Sequence, residues 1–188
     1  MWVLIVLVVI GAYLVSVYNS LVRSRNEVDN SWRQIDVQLK RRHDLIPNLV
    51  EAVKGYMQFE RDTLTQVVEA RGKAIAAPDQ ASRLAAENQL TTGLGKLLAV
   101  MENYPQLKSD QNVMQLQEQL TTTENQIAFS RQAYNDSVLN FNNRIQTFPS
   151  NILANNFGFK PAEYFKVAPE DQALPKVDLS LGTPTPRP

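Results

Sequence analysis

RNEVDNSWRQIDVQLKRRHDLIPNLVEAVKGY, residues 25–56, decides the fold. Large apolar side chains recur along it at Val28, Trp32, Ile35 and Leu39, then at Ile46, Val50, Val53 and, just beyond, Met57. Steps of three, four and seven put them on one face of a helix that packs against other helices. Arg33, Asp36, Lys40, Arg41, Asp44, Glu51 and Lys54 fall between them and face water. The stretch predicts one long helix with later helices folded back along it.

Immediately before it, Trp2–Val22 carries no charge, and WVLIVLVVIGAYLVSVY holds eleven Val, Leu and Ile residues. On an insertion scale these contribute about −3 to −7 kcal/mol. At ~1.5 Å per residue the run reaches about 30 Å, the thickness of bilayer hydrocarbon. Trp2, Ile5, Val9, Leu14 and Tyr18 are the anchor residues, with the Trp and Tyr rings at the two interfaces. A cleaved signal peptide would need a basic leader and a small-x-small cleavage site, and neither is present. Basic residues crowd the C-terminal flank at Arg23, Arg25, Arg33, Lys40, Arg41 and Arg42. The positive-inside rule then predicts a single-pass protein of the cell's inner membrane with its main domain in the cytoplasm.

The stripe runs through Pro47, where a bend is expected because proline gives no N–H to the carbonyl of His43. Leu64, Val67 and Val68 carry it on, so the first helix is read as continuing to about Ala76. Ala77-Pro78-Asp79 is a turn, with Asp79 capping a second helix over Gln80–Met101. Ser109 or Asp110 caps a third, to about Thr147, in which Leu116, Leu120, Thr123, Ile127, Tyr134, Val138, Phe141, Ile145 and Phe148 follow near-heptad steps. The expectation is all-α: a transmembrane anchor over 1–22, and an antiparallel bundle of three helices over 23–148. An irregular aromatic segment over 149–168 and a disordered proline-rich tail over 169–188 follow. The aromatic segment offers Ile152, Phe157, Phe159, Tyr164 and Phe165 to the bundle, a neighbouring copy or the membrane.

DVQLKRRHDLIPNLVEAVKGY with FERDTLTQVVEAR after it, ENYPQLKSDQN, and TENQIAFSRQAYNDSVLNFNNRIQTFPSNILANNFGFKP are similar to signature blocks of the bacterial LemA family. The likeness runs from about Tyr18 to Val167. It implies a small, N-terminally anchored membrane protein with a helical domain, and it implies no particular reaction.

No credible catalytic set accompanies these helices. Cysteine is absent, which removes disulfides, thiolate metal sites, a Cys nucleophile and a lipoprotein anchor. His43 is the sole histidine and reads as a surface or boundary residue beside the proline rather than a general base. There is no Glu-x-x-His pair for a bundle metal site and no glycine-rich phosphate loop. A formal net charge of zero lacks the positive field of a nucleic-acid binder. No cofactor is expected. Polar residues that flank the seams, Asp44, Asn48, Glu51, Arg71, Glu124, Asn125 and Arg131, are candidates for a buried layer that fixes register beside Trp32, Ile35 and Tyr134.

These readings converge on a non-enzymatic, membrane-anchored scaffold or adaptor of the envelope. It associates with itself, with lipid and with partner proteins the sequence does not name. Competing readings are a membrane-shaping assembly and a regulator of a membrane protease or signalling system, with an enzyme built on His43 the weakest.

Overall fold

A computed structural model describes residues 1–165; the proline-rich tail lies outside the described residues. The elements are α1 (Trp2–Lys54), α2 (Arg61–Ala76), α3 (Gln80–Met101), α4 (Pro105–Ser109), α5 (Gln111–Gln146) and α6 (Ser150–Asn156). No strand occurs among the described residues.

α1 is one unbroken helix through the apolar run, the charged flank and Pro47. Residues 2–16 of it are exposed, as lipid-facing side chains would be. The sequence reading carried this helix to Ala76, and here the structure differs. α1 stops at Lys54, and Gly55–Glu60 turns the chain through Met57 N–H to Val53 O and Glu60 N–H to Met57 O, both 3.0 Å. Gly55 is a weak helix former, which lowers the cost of stopping there by about 1 kcal/mol. Met57 sits fully buried because the turn tucks it over the end of the core. The apolar stripe restarts on α2 as a separate helix, so the folded part has four long helices and not three.

α1 rises from the membrane, α2 descends beside it, α3 rises again and α5 descends the whole length. Ser31 and Ser137 hydroxyls meet at 2.9 Å, and Arg144 hydrogen-bonds Ser20. These pairs fix α1 and α5 as antiparallel and bring the end of α5 back to the bilayer. The turn between α2 and α3 hangs low enough for Arg83 to pair with Asp36 of α1 at 3.0 Å. Asp79 caps α3 through Ser82 N–H at 2.9 Å, and Asp110 caps α5 through Asn112 N–H at 2.9 Å. α4, a single turn opened by Pro105, fills the connection that the sequence left irregular.

Two apolar cores result. The upper one gathers Ile46, Leu49 and Val53 of α1 with Leu64 and Val67, Leu90, Leu94 and Leu97, and Val113 and Leu120. The lower one joins Leu21, Val28, Ile35 and Leu39 to Ile127, Val138, Phe141 and Ile145, where only α1 and α5 run side by side. Two helices bury little, and the segment after α5 covers their open side. Its backbone is read by two asparagines. Asn142 accepts from Ala162 N–H (2.9 Å) and donates to Ala162 O (3.0 Å); Asn135 does the same with Phe165 (2.8 and 3.2 Å). A heptad on a helix and three residues of extended chain both span about 10 Å, so the two repeats match. Tyr134 Oη adds a bond to Glu163 O at 2.9 Å.

Asn142→Ala should therefore release this strap by leaving both polar groups of Ala162 without a partner, a cost of about 1–3 kcal/mol. Hydrogen exchange should accelerate at residues 161–165 while α2 and α3 keep their protection.

Candidate functional site

Between the two cores lies a layer of charge. Arg42 occupies the stripe of α1 between Leu39 and Ile46 and has no exposed surface. Its Nη1 donates to Glu124 Oε2 of α5 at 2.7 Å and to Thr91 Oγ1 of α3 at 2.8 Å, while Nη2 pairs with Glu87 Oε2. Thr91 Oγ1 in turn donates to Glu124 Oε1 at 3.1 Å. His43 Nε2 lies 2.9 Å from the other oxygen of Glu87. Three helices thus meet on one guanidinium, whose planar fork suits several carboxylate oxygens at once.

Glu87 is almost completely buried, at 1% exposure. Burial pushes its carboxyl upward, but the adjoining His43 imidazole and Arg42 guanidinium outweigh that and hold it below the ordinary glutamate value. Glu124 keeps about a third of its side chain in water, so the layer is closed on the Glu87 side and wet at Glu124.

At the next residue of α1, Arg71 of α2 donates from Nε to His43 O at 2.7 Å. That carbonyl is the one deprived of a helical partner by Pro47. The proline opens an acceptor on α1, and a side chain of α2 fills it.

The structure places the residues singled out from sequence as follows. Glu124 and Arg71 enter these contacts. Asp44, Asn48, Glu51 and Asn125 are exposed. At about 100° per residue, Asp44 lies two residues out of phase with Arg42, on the far side of α1. Ile35 is buried in the lower core, and Trp32, half-buried, meets Tyr134 edge-on at 5.3 Å. Arg131 lies over the Phe165 ring at 4.7 Å. Phe165 is buried and Phe159 half-buried, whereas Ile152, Phe157 and Tyr164 are exposed. Of the anchor residues, Trp2, Ile5, Val9 and Leu14 face outward, whereas the Tyr18 ring is partly covered by Phe157 and Phe159.

His43 differs from its sequence reading: it is buried against Glu87 and is not a surface residue. Arg42, Glu87 and Thr91 were missed as well. A signal for two of them was present. The stripe of α1 skips from Leu39 to Ile46, and Arg42 fills the missing step; Glu87 is in phase with Leu90, Leu94, Leu97 and Met101. A charged residue at a stripe position marks a buried partner. Among the described residues, no group of three or more His, Asp or Glu side chains could hold a metal ion. Arg42, Glu87, Thr91 and Glu124 bond to one another across three helices, while Arg42 Nε is buried without a hydrogen-bond partner.

An N-terminal helix long and apolar enough to cross a membrane, continuing into an all-α antiparallel bundle with an internal ionic layer, defines the class: a helical-bundle protein with an apolar stem. The chain belongs to the LemA family, whose model matches residues 31–179. It is 29% identical to Protein LemA of Metamycoplasma hominis over 72% of this chain and 63% of that protein. It is also 29% identical to Magnetosome protein MamQ 2 of Paramagnetospirillum magneticum, over 84% of this chain and 68% of that one. To Magnetosome protein MamQ of Magnetospirillum gryphiswaldense it is 24% identical, over 81% and 65%. The chain thus spans about two thirds of the length of these relatives.

Two expectations test the layer. A carboxylate with a depressed folded pKa stabilises fully above its unfolded value of about 4.3 and ceases to as pH falls through the folded one. Glu87→Gln should lower the urea midpoint at pH 7, and its deficit against the unsubstituted protein should shrink as pH falls below about 4. Arg42→Met strands two carboxylates and should cost about 3–5 kcal/mol at neutral pH. For the proline contact, Arg71→Ala should destabilise by about 1 kcal/mol less in a Pro47→Ala background, where the His43 carbonyl regains a helical N–H.

Proposed function

We propose that this protein is a non-enzymatic scaffold of the bacterial inner membrane that self-associates and presents its outer tip to partner proteins. The main domain stands in the cytoplasm, on the side of the basic flank. The observation that carries this reading is the apolar surface left open at the tip, far from lipid. Phe59 is 94% exposed at the turn between α1 and α2, next to half-open Tyr56. Beside them an open groove of about 1030 Å³ runs between the two helices, with Val50, Met57, Leu64 and Val68 as apolar lining and Glu51, Lys54, Arg61 and Glu69 as charged lining. Apolar floors with charged rims suit protein contact, and aromatic side chains are the usual anchors. The groups that would have to do chemistry are instead committed to the ionic layer.

The reach of the scaffold follows from the helix. Arg23–Lys54 at ~1.5 Å per residue lifts the tip about 48 Å from the bilayer.

Particle counting of the full chain in mild detergent should find assemblies of more than one copy. Phe59→Asp, at an exposed position, should leave the helical spectrum and melting temperature unchanged while abolishing either self-association or the cellular phenotype of the intact gene. A strictly monomeric protein whose Phe59→Asp variant complements fully would overturn the reading.

A further inference from the structure

The opposite end of the rod carries a second apolar surface, and its position says what covers it. α6 is fastened to the last part of the membrane span. The Tyr18 ring lies 4.8 Å from Phe157 and 6.1 Å from Phe159. Pro149 and Ser150 share a cleft with Tyr13, Val17 and Leu21, and Arg144, at the end of α5, is bonded to Ser20. A hydrocarbon layer of about 30 Å takes up about 20 helical residues, which from Trp2 ends near Leu21. A segment held level with Tyr13–Leu21 is therefore at the depth of the bilayer surface.

Its side chains fit that depth. Leu153 and Ala154 face inward to the lower core. Phe148, Ile152 and Phe157 point away from it, 74%, 53% and 61% exposed. From Ile145 to Phe159 there is no charged residue, and the charges resume at Arg144 and Lys160. Arg23 and Arg25 of α1, also exposed, stand just outside the span. The remaining polar groups of α6 are asparagine amides and a serine, which hydrogen-bond in the headgroup zone without the cost of burying a charge there.

We propose that Phe148–Phe159 is an interfacial wedge: α6 lies in the surface of the leaflet next to the folded domain, with Phe148, Ile152 and Phe157 among acyl chains. Arg23, Arg25, Arg144 and Lys160 form a collar at the phosphates. The occupant of this face is lipid because the face is continuous with the lipid-facing surface of α1. The bundle then meets the bilayer at two places, the stem and the wedge, which fixes its tilt and spin relative to the membrane. This depends on the anchor crossing a bilayer and is independent of self-association.

The absence of cysteine allows a direct test. Ile152→Cys and Phe157→Cys, each spin-labelled in the full chain, are reconstituted into phosphatidylcholine/phosphatidylglycerol vesicles. Phe129→Cys, 73% exposed on α5 well above the span, is the aqueous reference. Power saturation with oxygen and with a water-soluble nickel chelate reads depth. Labels at 152 and 157 should collide with oxygen in several-fold preference to nickel, and the label at 129 should show the reverse. Nickel preference at 152 and 157 would overturn the proposal by placing α6 in water. Low collision with both reagents would overturn it in favour of a second copy of the chain. Helicity by circular dichroism, unchanged in all three variants, keeps misfolding out of the comparison.

Discussion

A guanidinium with no access to water needs partners for its charge, and at Arg42 both terminal nitrogens find them while Nε has none, a requirement that shapes the bundle. Arg42 draws Glu87 and Thr91 of α3 and Glu124 of α5 to one height on α1. An apolar seam alone tolerates slippage by a heptad, because one leucine layer resembles the next. A misregistered Arg42 would leave a charge buried among leucines, at a cost of several kcal/mol. At the adjacent residue, the His43 carbonyl vacated by Pro47 gives α2 its own address through Arg71. All the long helices are thus tied to α1 within a short stretch of it.

That placement divides the molecule into parts built differently. Above the layer four helices surround a leucine-rich core of the usual bundle kind. Below it α1 and α5 form a pair too thin to bury itself, and the chain after α5 completes the packing. The Asn135 and Asn142 amides substitute for a neighbouring β-strand, satisfying an extended backbone from the flank of a helix. Trp32 closes the gap with an edge-on contact to Tyr134 and a tilted one to Phe165, arrangements that suit aromatic quadrupoles.

Function follows from what stays uncovered at the ends. Exposed aromatic rings lie at both ends of the bundle, Phe59 at the tip and Phe148 and Phe157 beside the stem. The ionic layer sits between them, where it holds the helices that connect the ends in fixed register. The chain belongs to the LemA family, and its two open apolar surfaces are joined by helices held in one register.

The sequence by itself determined the apolar N-terminal helix, the helical class, the caps at Asp79 and Asp110 and the limits of α3 and α5, because these depend on local chemistry: uncharged length, 3.6-residue periodicity and short-range hydrogen bonds. It also pointed to Glu124 and Arg71 as inward polar residues. Only the tertiary structure decided that Gly55 ends a helix, since a stripe in phase across Gly55 fits either one long helix or two antiparallel ones. Likewise Arg42, His43 and Glu87 resemble surface charges until their partners arrive from more than 40 residues away in the chain. A buried ion pair is a property of two or three distant segments at once, and no single window of sequence contains it.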